Sequence, residues 1–343
     1  LLGSNVENRG AIVTTRGTAA LAAGEAMTLN LDASGLVALT VDQAAYNAHI
    51  RNSGILEAEG GTVVLNAGAA ENVLAGVVNN SGRVVATSVS ERNGAIVIEG
   101  GSLVQTGEVV APTINVAVNR MVDAGSWRAE QGNITIHAAT TIEQTAASHI
   151  SASGKQGGSV RLEAGKQLYL SGTIESNGAD GQSGSDGTIT VTAPTTTIAG
   201  ATLSANGSTD GGMVLIGGGW QGSDPNLPNA ATTTVTASSS ISANAGTVGN
   251  GGTVVVWSED TTTFAGTISA NGGSEAGNGG AVEVSGHEQL AMSGTVSTSA
   301  PHGEAGFLLL DPRNITIEQP FSPLQFQRIS LLDPNATAGN QHG

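Results

Sequence analysis

The chain has 343 residues, of which 50 are glycine, and a formal net charge of −16. Only 3% of the residues are aromatic and 12% are charged, whereas 39% are hydrophobic. The shortage of large side chains argues against thick globular cores, and the hydrophobic content argues against disorder. The acidic balance excludes a basic surface for nucleic acid, no run is apolar enough for membrane insertion, and the absence of cysteine excludes disulfides and iron–sulfur clusters.

One signature, a glycine followed by a short run of alternating Val, Ile or Leu residues, recurs along most of the chain. The gaps between successive copies are 25 to 40 residues. The copies begin at Gly61, Gly94, Gly132, Gly158, Gly187, Gly212, Gly252, Gly280 and Gly306. Self-similarity with a period in this range is typical of a solenoid.

A second apolar position follows the glycine within each repeat, and a third short apolar stretch lies between the two. In four repeats this second position comes 16 residues after the glycine, at Ile174, Leu203, Ile268 and Val296. Three strands of period two, bounded by Gly, Ser or Asn, describe one coil of a parallel β-helix. The sequence therefore predicts an all-β, right-handed parallel β-helix solenoid of about ten coils.

The N-terminal third departs from this regularity. The runs at 42–50 and 69–77 lack β alternation and predict short helical excursions from the coils. A long insertion is expected at 217–233. The predicted segments are coils with helical excursions (1–100), an irregular junction (101–130), regular coils (131–317), and a tail or the start of a further segment (318–343).

Asparagine stands three residues after the second apolar position in four successive repeats. Asn tolerates a left-handed backbone better than most residues, which suits a turn. Equivalent turns of stacked coils place the amides above one another, and each amide can then donate to the next carbonyl oxygen. We predict a structural ladder of Asn177, Asn206, Asn244 and Asn271.

Four runs carry a family resemblance: 52–65, 77–82, 256–270 and 306–317. They resemble the filamentous-haemagglutinin-like exoproteins of two-partner secretion in Gram-negative bacteria. The resemblance implies a segment downstream of the family's secretion domain, whose Asn-Pro-Asn-type motifs are absent here. It also implies an outer-membrane transporter as partner, a secreted or cell-surface location, and a role in adhesion or biofilm formation.

The insertion at 217–233 is the predicted ligand site, because long loops on a rigid solenoid commonly carry binding. Trp220 is expected to stack on a sugar face, with Asp224 and Asn226 as hydrogen-bonding partners. The alternative is that Trp220 covers the edge of the core while prolines stiffen the crossing. The predicted ligand is a glycan, an exopolysaccharide or a host surface receptor.

A second candidate of the same kind is the pair Trp127 and Arg128 in the predicted junction. Asn-X-Ser/Thr sequons are present as well, and glycosylation of them is a further hypothesis. The candidate asparagines are Asn79, Asn133, Asn314 and Asn335.

Two other functions fit a β-helix. A carbohydrate-active enzyme, a lyase or a hydrolase, needs clustered carboxylates in one groove. A module that captures a host protein, such as a haem carrier, needs a large apolar patch of loops. The sequence shows neither paired aspartates nor histidines at metal-ligand spacing. We therefore predict a structural and adhesive segment with no catalytic residues, no metal and no cofactor.

Overall fold

The computed structural model of the chain describes residues 1–31, 37–43, 45, 47–68, 76–88, 94–179, 187–317 and 329–331. Almost all regular structure in this part of the chain is β-strand. A three-residue 3-10 turn, Trp220–Gly222, is the one helical element that it contains.

The strands follow one another in short segments, most of them separated by two to eight residues. The first sixteen are β1 (Leu2–Gly3), β2 (Asn5–Asn8), β3 (Ala11–Thr15), β4 (Thr18–Ala23), β5 (Ala26–Leu31), β6 (Val37–Gln43), β7 (His49–Asn52), β8 (Ile55–Glu59), β9 (Thr62–Asn66), β10 (Val77–Asn80), β11 (Arg83–Val85), β12 (Ala95–Gln105), β13 (Glu108–Val110), β14 (Thr113–Asp123), β15 (Ser126–Arg128) and β16 (Asn133–Gln144). The others are β17 (His149–Ser151), β18 (Ser159–Ala164), β19 (Gln167–Leu170), β20 (Thr173–Glu175), β21 (Thr188–Thr192), β22 (Thr195–Ile198), β23 (Thr202–Ser204), β24 (Met213–Ile216), β25 (Thr232–Val235), β26 (Ser240–Ser242), β27 (Thr253–Ser258), β28 (Thr261–Phe264), β29 (Thr267–Ser269), β30 (Ala281–Gly286), β31 (Gln289–Met292), β32 (Thr295–Ser297), β33 (Phe307–Leu310), β34 (Asn314–Ile317) and β35 (Ile329–Leu331).

Each coil holds a first, a second and a third strand, as in β21, β22 and β23. The third strands form an 11-stranded parallel sheet, and they define coils 1 to 11 in the order β3, β8, β11, β13, β15, β17, β20, β23, β26, β29 and β32. The first and second strands join in a 22-stranded sheet. Because the strands of these two sheets pair in parallel with their equivalents in adjacent coils, the chain is a parallel β-helix. The prediction of a β-helix with about ten coils is confirmed.

The core is a thin stack of small and medium apolar side chains. The predicted apolar positions of the third strands lie above one another, and Ile174, Leu203 and Ile268 are all buried. Glycine is required where coils approach at a turn, since a Cβ on Gly54 would lie 2.0 Å from the carbonyl oxygen of Gly10.

Residues 101–130 are not an irregular junction, because they belong to coils 4 and 5 and their strands pair in parallel on both sides, with one shift of register between Val118 and Arg120 where β14 pairs with β16. In these coils β12 and β14 run unbroken through the positions of both the first and the second strand. The strand β14 begins after Pro112 instead of after a glycine. The long gap between Gly94 and Gly132 therefore contains an additional coil.

The predicted helix over 42–50 is also wrong. Its described residues include the end of β6 and the start of β7. The strand β6 pairs antiparallel with β5, and this hairpin packs Leu39 and Val41 against Ala22 on the outer face of the sheet. Most of the predicted helix over 69–77 lies outside the described residues, as does most of 318–343, although β35 within it pairs with β33.

Candidate functional site

Residues 217–231, here called the strap, connect β24 to β25 at the place where the sequence predicts an insertion. The strap folds back over the outer face of the first strands. Its Leu227 is 8% exposed and packs with Leu215, Val255 and Trp257, which the strap covers. The insertion therefore has a small apolar core of its own, outside the main core of the coils.

Two glycines of the strap are required by their close packing against Trp257. Gly218 and Gly222 both pack against its indole ring, and a Cβ at either position would lie 2.6 Å from a ring atom. Gly222 also has a φ of 61°, in the left-handed region. The run Gly217–Gly222 is thus built for close packing on a tryptophan.

We expect Gly222→Ala to destabilise the strap, because the added methyl group meets the ring of Trp257 and the backbone is strained by about 1 kcal/mol or more. Limited proteolysis and the melting temperature would measure the effect. Gly200→Ala is the matched control, since Gly200 has a φ of 79° but its nearest neighbour is Ser238 Oγ at 3.3 Å. Equal behaviour of the two variants would contradict the role assigned to Trp257.

The two ends of the strap reach distant coils. On one side, Arg161 Nη2 in β18 donates to the carbonyl oxygen of Asn226 at 3.3 Å. On the other side, Trp220 meets Phe307 in β33 edge to face, with ring centroids 5.7 Å apart and an interplanar angle of 78°. The strap therefore lies over β24, β27 and β30, and it reaches β18 on one side and β33 on the other.

The three residues predicted to bind a ligand lie in the strap but are largely engaged within it. Trp220 is partly buried against Phe307 and the strap's apolar cluster. Asp224 Oδ1 accepts from the backbone N–H of Asn226 at 2.9 Å and from its side-chain amide at 3.2 Å. These contacts hold a turn together and leave part of the Trp220 ring on the surface.

The assignment of Trp127 to a ligand site is wrong. Trp127 lies in β15 with 0% exposure, and its Nε1 donates to Asp123 Oδ1 at 3.0 Å inside the coil. An external ligand cannot reach this ring. Arg128, the next residue, points outward and forms an ion pair with Glu130 at 3.2 Å.

The predicted asparagine column stacks along the coils, but its hydrogen bonds differ from those expected. Each Oδ1 accepts from the backbone N–H of the next asparagine, at 2.8 Å for Asn177 to Asn206 and for Asn206 to Asn244, and at 2.9 Å for Asn244 to Asn271. The Nδ2 groups donate to serines of the following third strand, such as Ser204. The amides therefore bond to backbone and serine instead of to one another.

A ladder in which amides bond to one another occurs elsewhere, inside the N-terminal coils. The Nδ2 groups of Asn8, Asn52 and Asn80 donate in turn to Asn52, Asn80 and Gln105, each at 2.8 Å. These four side chains are at most 5% exposed. The repeated Asn-Ser-Gly at 52–54 and 80–82 is the sequence signal for this ladder.

The same column continues through Asp123 and Gln144 and then becomes apolar at Leu170. Burial raises the pKa of Asp123 to about 6, although hydrogen bonds from Ser148 and Trp127 act to lower it. The column thus places one ionisable group inside the coil.

A second buried carboxyl group lies beneath the strap. Glu283 in β30 is 0% exposed, and its Oε2 accepts from the backbone N–H of Gln221 at 2.8 Å. Burial raises the pKa of Glu283 to about 7, with a smaller contribution from the charge of Asp311, although the N–H of Gln221 and the hydroxyl of Ser285 act to lower it. Asp311 in turn accepts from Gln221 Nε2 at 3.3 Å.

The predicted glycosylation sites fall on different surfaces. Asn79 lies in β10 and is half-buried, and Asn133 begins β16 and is exposed. Asn314 begins β34, and Asn335 lies outside the described residues. Modification of these residues stays a prediction.

Within the described ranges, no three acidic or histidine side chains converge as metal ligands. In the same ranges, no helix has the length and apolar character needed to cross a bilayer. Neither family models nor curated proteins match the chain.

Among solved structures, the chain is similar to the crystal structure of the HMW1 secretion domain from Haemophilus influenzae. The identity is 18%, the TM-score is 0.47, and the match covers 84% of this chain and 98% of that chain. At this distance the likeness assigns neither a function nor a partner, and the fold assignment stands on the strand pairing alone.

Proposed function

We propose that the chain is a rod-forming segment of a large exoprotein that a two-partner-secretion system exports to the surface of a Gram-negative bacterium. The observation that carries the proposal is the unbroken in-register pairing of eleven third strands. At about 4.8 Å per coil the rod is roughly 50 Å long, and it extends as coils are added. The sequence runs at 52–65 and 256–270 support the family, and the absence of cysteine suits export of an unfolded chain through an outer-membrane transporter.

The role of such a rod is attachment, to a glycan, a matrix exopolysaccharide or a host receptor. The exposed part of Trp220 beside Phe307, which is 42% exposed, supplies an aromatic surface for a sugar face. The acidic surface favours a neutral or basic partner.

We expect Trp220→Ala to weaken glycan binding by about tenfold or more, because one stacked aromatic contributes about 1.4 kcal/mol or more at such a site. A glycan array probed with the full chain and with the variant measures the effect. Tyr169→Ala, which removes an aromatic ring that is 40% exposed on another part of the surface, is the matched control. Binding that is unchanged by Trp220→Ala would sink the proposed role of the strap in attachment.

The enzyme alternative gains no support from the two carboxyl groups whose pKa is raised most. Asp123 lies inside coil 5 and Glu283 lies on the outer face of coil 11 under the strap, so the two do not share a groove.

The haem-carrier alternative depends on an apolar patch, and the surface around Trp220 and Phe307 is the candidate for it. The glycan array tests binding of a sugar, and a binding assay with a haem-carrier protein tests this alternative.

A further inference from the structure

Glu283 is held in a place where its negative charge is not neutralised. Its side chain is fully buried, and its hydrogen-bonding groups, the backbone N–H of Gln221 and the hydroxyl of Ser285, are both neutral. Its Oε1 lies without a close hydrogen-bond partner among the described residues. A buried carboxylate in this situation is costly unless a cation or a proton accompanies it.

The groups that face Glu283 supply no cation. Its neighbours in register are apolar, Val255 in β27 and Leu309 in β33. The strap presents the backbone and amide of Gln221, and the nearest charge is the carboxylate of Asp311, which is repulsive.

The surrounding ionisable groups are paired with other partners. On the strap's opposite side, Glu259 is bonded to Asn229 Nδ2 at 2.6 Å. Arg313, the cation that follows Asp311 along the chain, pairs with Glu288 at 2.9 Å. A proton on Glu283 is therefore the simplest way to keep the closed arrangement neutral.

We propose that the strap is a proton-operated cover: it lies closed over the outer face of β24, β27 and β30 when Glu283 is protonated, and it lifts when Glu283 is ionised. Lifting frees the N–H of Gln221 and exposes Leu215, Val255 and Trp257, which together form an apolar patch. Such a patch is a surface for protein or membrane contact. The movement requires no ligand, so it stands or falls independently of the proposed attachment role.

The direction follows from linkage. Burial under the strap raises the pKa of Glu283 from the ordinary 4.5 to about 7, so the closed strap binds the proton more tightly than an open strap that exposes the group to water. Closure is therefore fully favoured in acid, and it loses free energy as the pH rises from 4.5 towards about 7. Above that pH the closed strap carries the full cost of the buried charge.

Fluorine NMR of the full chain labelled with 5-fluorotryptophan tests the proposal, because the chain has three tryptophans and two of them, Trp220 and Trp257, report on the strap. Trp127 reports on the core, and single Trp→Phe variants assign the signals. Between about pH 4 and about pH 8 we expect both strap signals to move towards the solvent-exposed position, with a midpoint between 4.5 and about 7.

Two variants and the addition of calcium test whether the proton on Glu283 controls the strap. Glu283→Gln keeps the acceptor for Gln221 and cannot ionise, so the strap signals should no longer depend on pH. Asp311→Asn removes the repulsive charge and should move the midpoint to lower pH. A pH response that persists in Glu283→Gln, or a wild-type Trp257 signal that does not move, would overturn the proposal. Loss of the wild-type transition on adding calcium would assign the site to a cation and would overturn it as well.

Discussion

Asp123→Asn is expected to raise the free energy of unfolding at neutral pH by about 3 kcal/mol. Folding raises the pKa of this carboxyl group from 3.8 to about 6, and each tenfold change in proton affinity corresponds to about 1.4 kcal/mol. The folded state binds the proton more tightly, so the ionised group costs stability above about pH 6 and none below 3.8.

The substitution can keep the local hydrogen-bonding partners, with the bond to Ser148 reversed in direction. Asparagine keeps Oδ1 as acceptor for Trp127 Nε1 and for the N–H of Gly125, and its Nδ2 can donate to Ser148 Oγ. Ser148 Oγ, which already accepts from Gln144 Nε2 at 3.0 Å, would then accept from both amides. The buried column would then hold a neutral amide in place of its ionisable group.

Denaturant unfolding of the wild type and of Asp123→Asn at about pH 7.5 and about pH 3.5 measures the effect. The stabilisation should be present at the higher pH and absent at the lower one. Asp224→Asn, on the surface of the strap, is the control and should change stability little at either pH. A stabilisation of equal size at both pH values would show that the charge of Asp123 is not its cause.

Cutting the buried amide ladder is expected to have an effect of similar size and opposite sign. In Asn52→Leu, Asn80 Oδ1 loses the amide that donates to it, and Asn8 Nδ2 loses its shortest acceptor. Each buried polar atom without a partner costs about 1–3 kcal/mol. We expect a loss of about 2–4 kcal/mol in the free energy of unfolding, measured by denaturant titration.

The apolar half of the same column provides the comparison. Leu170 and Ile198 occupy the equivalent position in coils 7 and 8 without any polar partner. Replacing all four ladder residues by leucine should therefore be less damaging than Asn52→Leu alone, since no amide is then left unpaired. Asn79→Leu, one residue before Asn80 on the outer face, is the surface control. A fourfold variant that is less stable than the single one would show that the ladder itself stabilises the coils.

The position of the coils could be predicted because close approach between turns selects glycine, as at Gly54 against Gly10. Coil 5 could not be predicted from its glycines. Its first strand follows Pro112 instead of a glycine, and β14 runs through the first and second positions without a turn between them. Without that coil, the sequence pattern places Trp127 in a junction and on the surface. Its partner Asp123 explains its burial, but a pairing across four residues is not visible in the apolar pattern.

The sequence predicts where along the chain the candidate site lies, but it does not predict how the residues of the site pack. The unequal repeat length locates the insertion, and Trp220 lies within it. The packing of Gly218 and Gly222 on Trp257 could not be predicted, because Trp257 lies in the next coil and only the folded stack brings the two segments together. Glu283 was missed for the same reason, since its burial depends on a strap that begins two coils earlier in the chain.

In a solenoid, each repeat is held by its own contacts and by its two neighbours, so loss of structure can enter at one end and proceed coil by coil. The strap prevents such stepwise loss of structure in one part of the rod, because it connects several coils. It covers β24, β27 and β30, and its contacts with Arg161 and Phe307 link it to β18 and β33. Fraying that starts at the C-terminal end must detach the strap before coil 11 can separate. The interval from β18 to β33 is therefore expected to unfold as one cooperative block, while coils 1 to 6 can unravel stepwise.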